Sequence, residues 1–429
     1  MKESKFMKKM LFMGDSNETY EFLKYAQKKG FYTIVTDYFE PQHSTAKLLA
    51  NAYWMISTGE LDQLEQKCKE ENIWAVISGS SDFNIEMSIR LCKRIGLPCF
   101  CTENVWIASK DKELFKRLCR EAGAPTPDDF EISSILNIQE VSKVKFPVVV
   151  KPVDMCANAG VSFCFNKEEL IRAYRYAESL SNKDKIIVER MLHGIEFCSY
   201  YILAEGEAAF LTLCVRIPQS GQPSFCYSMN TTINNFTEQY LEEMDSPVKE
   251  VLKRIGCGEG VACVQCIWDN DGHFYAFEMC YCPETSLLIA PLRHVCPFDT
   301  IQWQFECAIG KKHLKSQLPS DLWRDFQGHA NSYILFSRTD GVISEIKGLE
   351  AFDSFSNVEL RVRVHVGDCI QKYYPLGNIL FYTDSYEQTC KIIEQINENI
   401  QIKNTLGENV IIYFNNMESL NSLHNKNIN

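Results

Sequence analysis

The chain has 429 residues, 45% hydrophobic and 23% charged, with a formal net charge of -12. That length supports two to four units with substantial cores, and an acidic balance unbroken by any long basic run argues against nucleic acid or an anionic membrane as the main partner. The apolar stretch after the opening "MKESKFMKKM" stops at Gly14, Asp15 and Ser16, too short for a signal-peptide core or a membrane span, so a cytoplasmic setting is expected.

The first hundred residues alternate short apolar strands, "KMLFMG", "YTIVTD", "WAVISG" and "LPCF", with helical patterns at "NETYEFLKYAQKKG", "LDQLEQKCKEEN" and "IEMSIRLCKRIG". This rhythm predicts a parallel sheet covered by helices, with ligands at the carboxyl ends of its strands. Gly14 followed by Asp37 lacks the other glycines of a dinucleotide fingerprint, so a nicotinamide cofactor is not supported. "SGSSDFN", residues 78–84, suits either a pocket lining or a capped helix start.

An amphipathic helix is expected over 108–124, closed by Gly123, with "PTPDDF" as a linker after it. Then comes "VVVKPVDMCANAGVSF", where an apolar strand ends on Lys151 and gives way to a loop of Ala157, Asn158, Ala159 and Gly160. One fixed cation beside a backbone with little bulk suits a polyphosphate, although an ordinary strand-loop-strand link fits the same string. The pattern is not a P-loop. In "IVERMLHGIEF" a strand carrying Glu189 leads through a short connector to Gly194 and Glu196, which suits either a plain crossing or a segment that reads a base edge and a ribose.

"VQCIWDNDGHFYAFEMC" reads as a hairpin whose two-residue turn is Asp271-Gly272. Counting outward makes Gln265 face Glu278, with Cβ atoms about 5 Å apart, and puts Cys280 on the same face. The other face then collects Val264, Cys266 and Trp268 against Tyr275, Phe277 and Met279. A carboxylate and an amide so placed suit Mg²⁺ near phosphates, or a solvated pair on an exposed face. Of nineteen cysteines, Cys263, Cys266, Cys280 and Cys282 are spaced closely enough for zinc. The odd separation of Cys263 and Cys266 on one strand points them to opposite faces and favours plain thiols. From about residue 330 a β-rich tail runs through "NSYILF", "GVISEI", "RVRVHV" and "GNILFYT" to a helix at "SYEQTCKIIEQINENIQI".

Taken in order, these pieces resemble the ATP-grasp superfamily, including its carboxylate-amine ligases and the large subunit of carbamoyl phosphate synthetase. The resemblance implies mixed α/β and α+β architecture: a leading parallel α/β domain (1–107), a mobile lid subdomain (108–190), a nucleotide- and metal-binding subdomain (191–328) and a β-rich C-terminal domain (329–429). It implies Lys112 and Lys151 on phosphates with Gly160 in the covering loop. It sets Glu189 near the adenine amine, the backbone of Arg190 and Leu192 on the base, and Glu196 on the ribose. Gln265 and Glu278 become ligands of Mg²⁺, or of Mn²⁺ in its place. The implied activity is ATP-dependent joining of a small-molecule carboxylate, an amino acid or short peptide, to an amine through an acyl phosphate, in a monomer or homodimer. Bicarbonate activation of the carboxylase or carbamoyl-phosphate type, and an ATP-binding module without catalysis, are the alternatives. The chain departs from the family where Cys280 and Cys282 replace the usual asparagine and arginine; Cys280 is a soft ligand ill matched to Mg²⁺, and Arg293 or Arg216 are the candidates to stand in for the arginine.

Overall fold

In a computed structural model of the chain, which describes residues 7–153, 160–181, 185–222, 226–282 and 288–425, the leading segments pair largely as expected. Strands β1 (Lys9–Met13), β2 (Tyr32–Thr36), β3 (Ala52–Trp54) and β4 (Ile73–Ser78) run parallel in the order β3-β2-β1-β4. After Lys9, β1 is apolar because both faces are covered: Met10 and Phe12 pack in one cluster, Leu11 and Met13 in another. Two details differ from the sequence reading. Ala52–Trp54 is an additional short strand, and Leu97–Phe100 forms none. Pro98 has no amide hydrogen to give a ladder and instead lies so close to Gly310 that an added Cβ there would stand 2.4 Å from it.

The helix expected over 108–124 is in fact two, Glu103–Ser109 and Lys112–Ala122. Asp111 separates them, because its side chain accepts from the amides of Glu113 and Leu114 and so caps the second helix. Lys112 is thereby fixed in the first turn, and Gly123 closes the helix in the left-handed region. The apolar side of this helix, with Phe115, Leu118 and Cys119, packs into the core of a large sheet rather than into the layer that follows it in sequence.

That following layer is a small antiparallel sheet of β5 (Val148–Pro152), β6 (Ser162–Cys164) and β7 (Ile186–Arg190), ordered β6-β5-β7, with helix Lys167–Leu180 packed on it. Residues 154–159, which include the predicted loop residues Ala157, Asn158 and Ala159, lie outside the described residues. Gly160 has φ +77°, and a Cβ there would meet Pro152 at 2.6 Å, so a close approach as well as the backbone angle demands glycine.

The remaining strands are β8 (Gly194–Ala204), β9 (Glu207–Pro218), β10 (Tyr227–Ile233), β11 (Gly260–Asp269), β12 (Phe274–Cys280), β13 (His329–Ser337), β14 (Gly341–Lys347), β15 (Val358–Val362), β16 (Cys369–Ile370), β17 (Pro375–Thr383), β18 (Gln401–Asn404) and β19 (Ile411–Ile412). Among the described residues they form a nine-stranded sheet along β12-β11-β8-β9-β10-β13-β17-β15 with β19 on β13, and a three-stranded sheet β16-β14-β18. Because β10 pairs with β13, the expected division at 328/329 falls inside one continuous sheet. Side chains alternate between two cores: Tyr201, Val264 and Cys266 enter one, Tyr200, Cys198 and Cys263 the other. Among the described residues no helix is long and apolar enough to cross a membrane.

The cap at Asp111 yields a first prediction. Asp111→Ala lowers stability by about 1 kcal/mol in urea unfolding, whereas Asp111→Asn, which still accepts, loses only a few tenths. An unchanged midpoint for Asp111→Ala would show that the cap does not hold the helix start.

Candidate active site

The hairpin of β11 and β12 pairs Gln265 with Glu278, as the sequence count expected, but by a different route. The turn is one residue longer than predicted: Asp269 donates its amide to the His273 carbonyl, and Asn270, Asp271 and Gly272 form the loop. Near the turn the register is therefore Trp268 on Phe274 and Cys266 on Ala276, and a bulge beside Phe277 restores Gln265 to Glu278 and Cys263 to Cys280. The two displacements cancel at the pair that matters and not before it. Consequently Phe274, Ala276 and Met279 enter the core with Val264 and Cys266, whereas Tyr275 and Phe277, expected there, do not. Phe277 lines a cavity instead, and Tyr275 lies under the Arg190 guanidinium at 4.7 Å.

That cavity, of about 880 Å³, opens between the small sheet and the large one. Of the residues singled out from the sequence, it gathers Lys112, Lys151, Glu189, Arg190, Leu192, Glu196 and Glu278. Val149, Ile195, Ile267 and Phe277 give it apolar walls, and the exposed Phe163 of β6 and Phe165 just after that strand line it as well. Gly160 abuts the lining through Val161, and Gln265 sits beside it on Glu278, with its amide 3.8 Å from the Cys280 sulfur. Arg293 is not brought in. It pairs with Glu21 of the leading domain at 3.2 Å, a carboxylate that also binds Arg361. Arg216 does line the cavity, paired with Glu196 at 3.2 Å. Glu196 further accepts from the Tyr227 hydroxyl, so both its oxygens are engaged.

The charges here are organised around Glu189, which is 4% exposed. One of its oxygens accepts from Lys151 at 2.5 Å and the other from Lys116 at 2.7 Å. Burial pushes this carboxyl upward, but Lys151 and Lys116 outweigh it and hold the group below the ordinary carboxylate range. Lys116 also binds Asp129, which holds Arg120 at 2.9 Å. Lys112 stands 3.2 Å from Glu278, joining the cap-fixed helix start to the metal-type hairpin. At the connector from β7 to β8, residues 190–194 and hereafter the hinge, Arg190 donates to Asp269 at 2.9 Å. The backbone amides of Arg190 and Met191 are already given to Asp128 and Pro147, which leaves carbonyl oxygen as what Arg190's backbone can offer a base.

Two contributions were missed by the sequence reading. Lys116 follows Lys112 by four residues on one helix face, and its signal was a lysine amid the apolar positions Phe115, Leu118 and Cys119. The last helix, Met417–Asn425, supplies Ser419, Ser422 and Leu423 to the cavity wall from the far end of the chain; no local pattern announces that. The four closely spaced cysteines do not assemble: Cys263 and Cys266 lie in opposite cores. Cys282 is buried with Ile85, Ile89 and Trp106, its thiol pushed up by a hydrogen bond with Cys280 and by burial. Pro283 to Leu287, the rest of the altered hairpin ending, lie outside the described residues.

Comparison with known proteins agrees with this fold. Residues 144–283 match the model of the ATP-grasp domain. The structure resembles L-amino acid ligase from Bacillus licheniformis, with 17% identity and a TM-score of 0.76 over 93% of this chain and 99% of that one. It also resembles the biotin carboxylase domain of 2-oxoglutarate carboxylase from Hydrogenobacter thermophilus, solved with MgADP, ADP and bicarbonate, at 18% identity and a TM-score of 0.75 over 98% and 99% of the two chains. In sequence it is 18% identical over 314 residues to the arginine-specific large chain of carbamoyl phosphate synthase from Halalkalibacterium halodurans; that stretch is 69% of this chain and spans 28% of the relative's length. The chain carries an ATP-grasp domain and has the ATP-grasp fold.

The buried triad predicts a large electrostatic effect. Glu189→Gln leaves two ammonium groups without their shared anion and destabilises the fold by about 3–5 kcal/mol at neutral pH. Because the folded carboxyl is held below its unfolded value, wild type keeps this contribution above the ordinary carboxylate range and loses it as acid protonates the folded group. Urea unfolding of both proteins against pH should show the gap close on acidification; a gap constant with pH would remove the electrostatic account.

Proposed function

We propose that the chain is an ATP-dependent ligase that joins the carboxylate of an amino acid or short peptide to an amine through an acyl phosphate. The observation that carries this reading is the convergence of Lys112, Lys151 and Glu278 on one cavity whose apolar slot and hinge lie beside them. On this reading adenine takes the apolar end near Leu192 and Phe277, Glu196 meets the ribose, and the two lysines take the phosphates. Residues 108–190 serve as the lid and 191–328 hold nucleotide and metal. A cytoplasmic setting and homodimerisation belong to the same proposal.

The donor set fits a hard cation. Gln265 and Glu278 offer an amide and a carboxylate oxygen on directly paired strands, the number of protein oxygens magnesium commonly takes beside phosphate. When bound, Mg²⁺ would neutralise and align phosphate oxygens. The protein's own part is electrostatic. Lys112 and Glu278 neutralise one another without nucleotide; when Lys112 takes a phosphate oxygen, Glu278 becomes free as the carboxylate that would hold the cation. Lys151 is held rigid by Glu189, so its charge is aimed before the phosphates arrive and little reorganisation is left for the transfer itself. A carboxylate oxygen attacks the terminal phosphorus as the bond to ADP breaks, and the amine then displaces phosphate from the acyl carbon. Closure of the small sheet over the cavity would exclude water from the acyl phosphate.

A second reading, ATP binding without catalysis, draws on Cys282, which is packed among apolar side chains where the family resemblance expects an arginine. One assay separates the two. ADP release in Mg²⁺ and ATP, screened over amino acids, short peptides and other small carboxylates, should depend on one pool, vanish in Glu278→Ala, and in Lys151→Ala require about 10- to 100-fold more ATP, the worth of one charge-assisted contact. Full turnover by a folded Glu278→Ala protein would sink the metal assignment. Tight ATP binding with no release in any pool would favour the inactive module.

A further inference from the structure

We propose a second metal centre, distant in character from the nucleotide cavity: a zinc-type cation held by Glu259, Cys307 and His313. Glu259 immediately precedes β11, Cys307 lies in the last turn of helix Thr300–Ala308, and His313 follows in the next loop. All three are buried, at 5%, 2% and 1% exposure, and their ligand atoms lie within 4.8 Å of one another. The Cys307 sulfur is 3.5 Å from His313 Nδ1, and Glu259 Oε2 is 3.9 Å from the same nitrogen. A cation about 2.3 Å from sulfur and about 2.0 Å from nitrogen in a tetrahedral arrangement sets those two atoms about 3.5 Å apart.

Two further observations point to a cation. Lys312 Nζ stands 3.7 Å from Glu259 Oε1, whereas Oε2, the oxygen beside His313, is buried with no hydrogen-bond partner, which costs free energy unless a cation meets it. The far side of His313 is fixed as an outer shell would fix it: Nε2 lies 2.8 Å from Glu306 Oε2, which Lys311 also binds, and the ring stacks on Trp303 at 3.7 Å. A carboxylate behind a ligating imidazole sets its tautomer so that Nδ1 presents a lone pair. The mixture of sulfur, nitrogen and oxygen selects a borderline cation such as Zn²⁺ over Mg²⁺. On binding, the thiol releases its proton to solvent as sulfur takes up the cation, and water completes the fourth position.

The placement gives the centre a structural task. Helix Thr300–Ala308 sends Ile301 and Phe305 into the core of the leading domain, while Glu259 begins the strand that carries Gln265. A cation shared by Glu259 and Cys307 therefore ties the leading domain to the residue just before the β11–β12 hairpin.

The test uses the full chain. Purified with zinc supplied and then dialysed against a weak chelator, it should retain about one zinc per chain by mass spectrometry, and Cys307→Ser or His313→Gln less than about one-tenth. Cobalt in place of zinc should give a thiolate charge-transfer band with the strong visible bands of tetrahedral geometry. Cys280 beside Glu278 is the competing thiol, so the decisive comparison is that the band survives Cys280→Ser and is lost in Cys307→Ser. Wild-type protein with less than about one-tenth zinc and no cobalt band would overturn the proposal and leave His313 as a buried ring hydrogen-bonded to Glu306. So would a band that persists without Cys307 and disappears without Cys280. The wild-type measurements decide the matter even where a variant does not fold.

Discussion

The site depends on one buried carboxylate. Glu189 on β7 accepts from Lys151 on β5 and from Lys116 on helix Lys112–Ala122, so a single anion joins the small sheet to a helix whose apolar side belongs to the large sheet. Each of these groups costs several kcal/mol to remove from water, and the buried part of the cluster persists because each ammonium meets a carboxylate: Lys151 on Glu189, and Lys116 on Glu189 and Asp129. The family resemblance set Glu189 near the adenine amine. It does line the cavity, yet with both oxygens taken by lysines its first effect is on where Lys151 points. Rigid placement of a phosphate-binding cation is what electrostatic catalysis requires, since a charge that must first find its position lowers no barrier.

How much of this the sequence reveals depends on whether the signal is local. Strands of the leading sheet are continuous apolar runs between turn residues, and β5, β7, β11 and β12 carry their chemistry on short, bounded segments, so their existence and most of their pairing are legible. Register is less so. A two-residue turn at Asp271-Gly272 and a regular ladder reach the Gln265–Glu278 pair only because a longer turn and a bulge displace the count in opposite directions. Tyr275 and Phe277 reveal the difference, since a one-residue shift sends a strand's side chains to the opposite face. What has no local signal is lost altogether: the closure of one sheet across residues 260 to 330, and the arrival of Ser419, Ser422 and Leu423 at a cavity built mainly by residues 149 to 278.

The cysteines show the opposite case, where a conspicuous pattern proves to be packing. Their spacing in β11 and β12 invites a metal, but strand geometry divides Cys263 from Cys266 and buries Cys282 in an apolar cluster. Cys280 alone remains beside Gln265 and Glu278, and its sulfur accepts a hydrogen bond from the Gln265 amide. Meanwhile Cys307 and His313, unremarkable in sequence, meet Glu259 only because a helix end and a strand start converge. Ligating chemistry follows three-dimensional convergence more than spacing.

That convergence bears on the hairpin itself. A strand register that places Gln265 opposite Glu278 must be held against slippage along ten residues of β11. At the far end Asp269 accepts from the Arg190 guanidinium and from the His193 amide, fixing the turn to the hinge. At the near end the Tyr281 hydroxyl donates to the Glu259 carbonyl at 2.6 Å and accepts from its amide at 3.2 Å, locking the start of β11 to the end of β12. With both ends pinned, neither the long turn nor the bulge can move without breaking buried polar contacts, which cost more than the small gain from an altered ladder. In the proposed ligase the amide and carboxylate thus stay opposed, and the element left to move is the small sheet that carries Lys151 rather than the hairpin that carries Glu278.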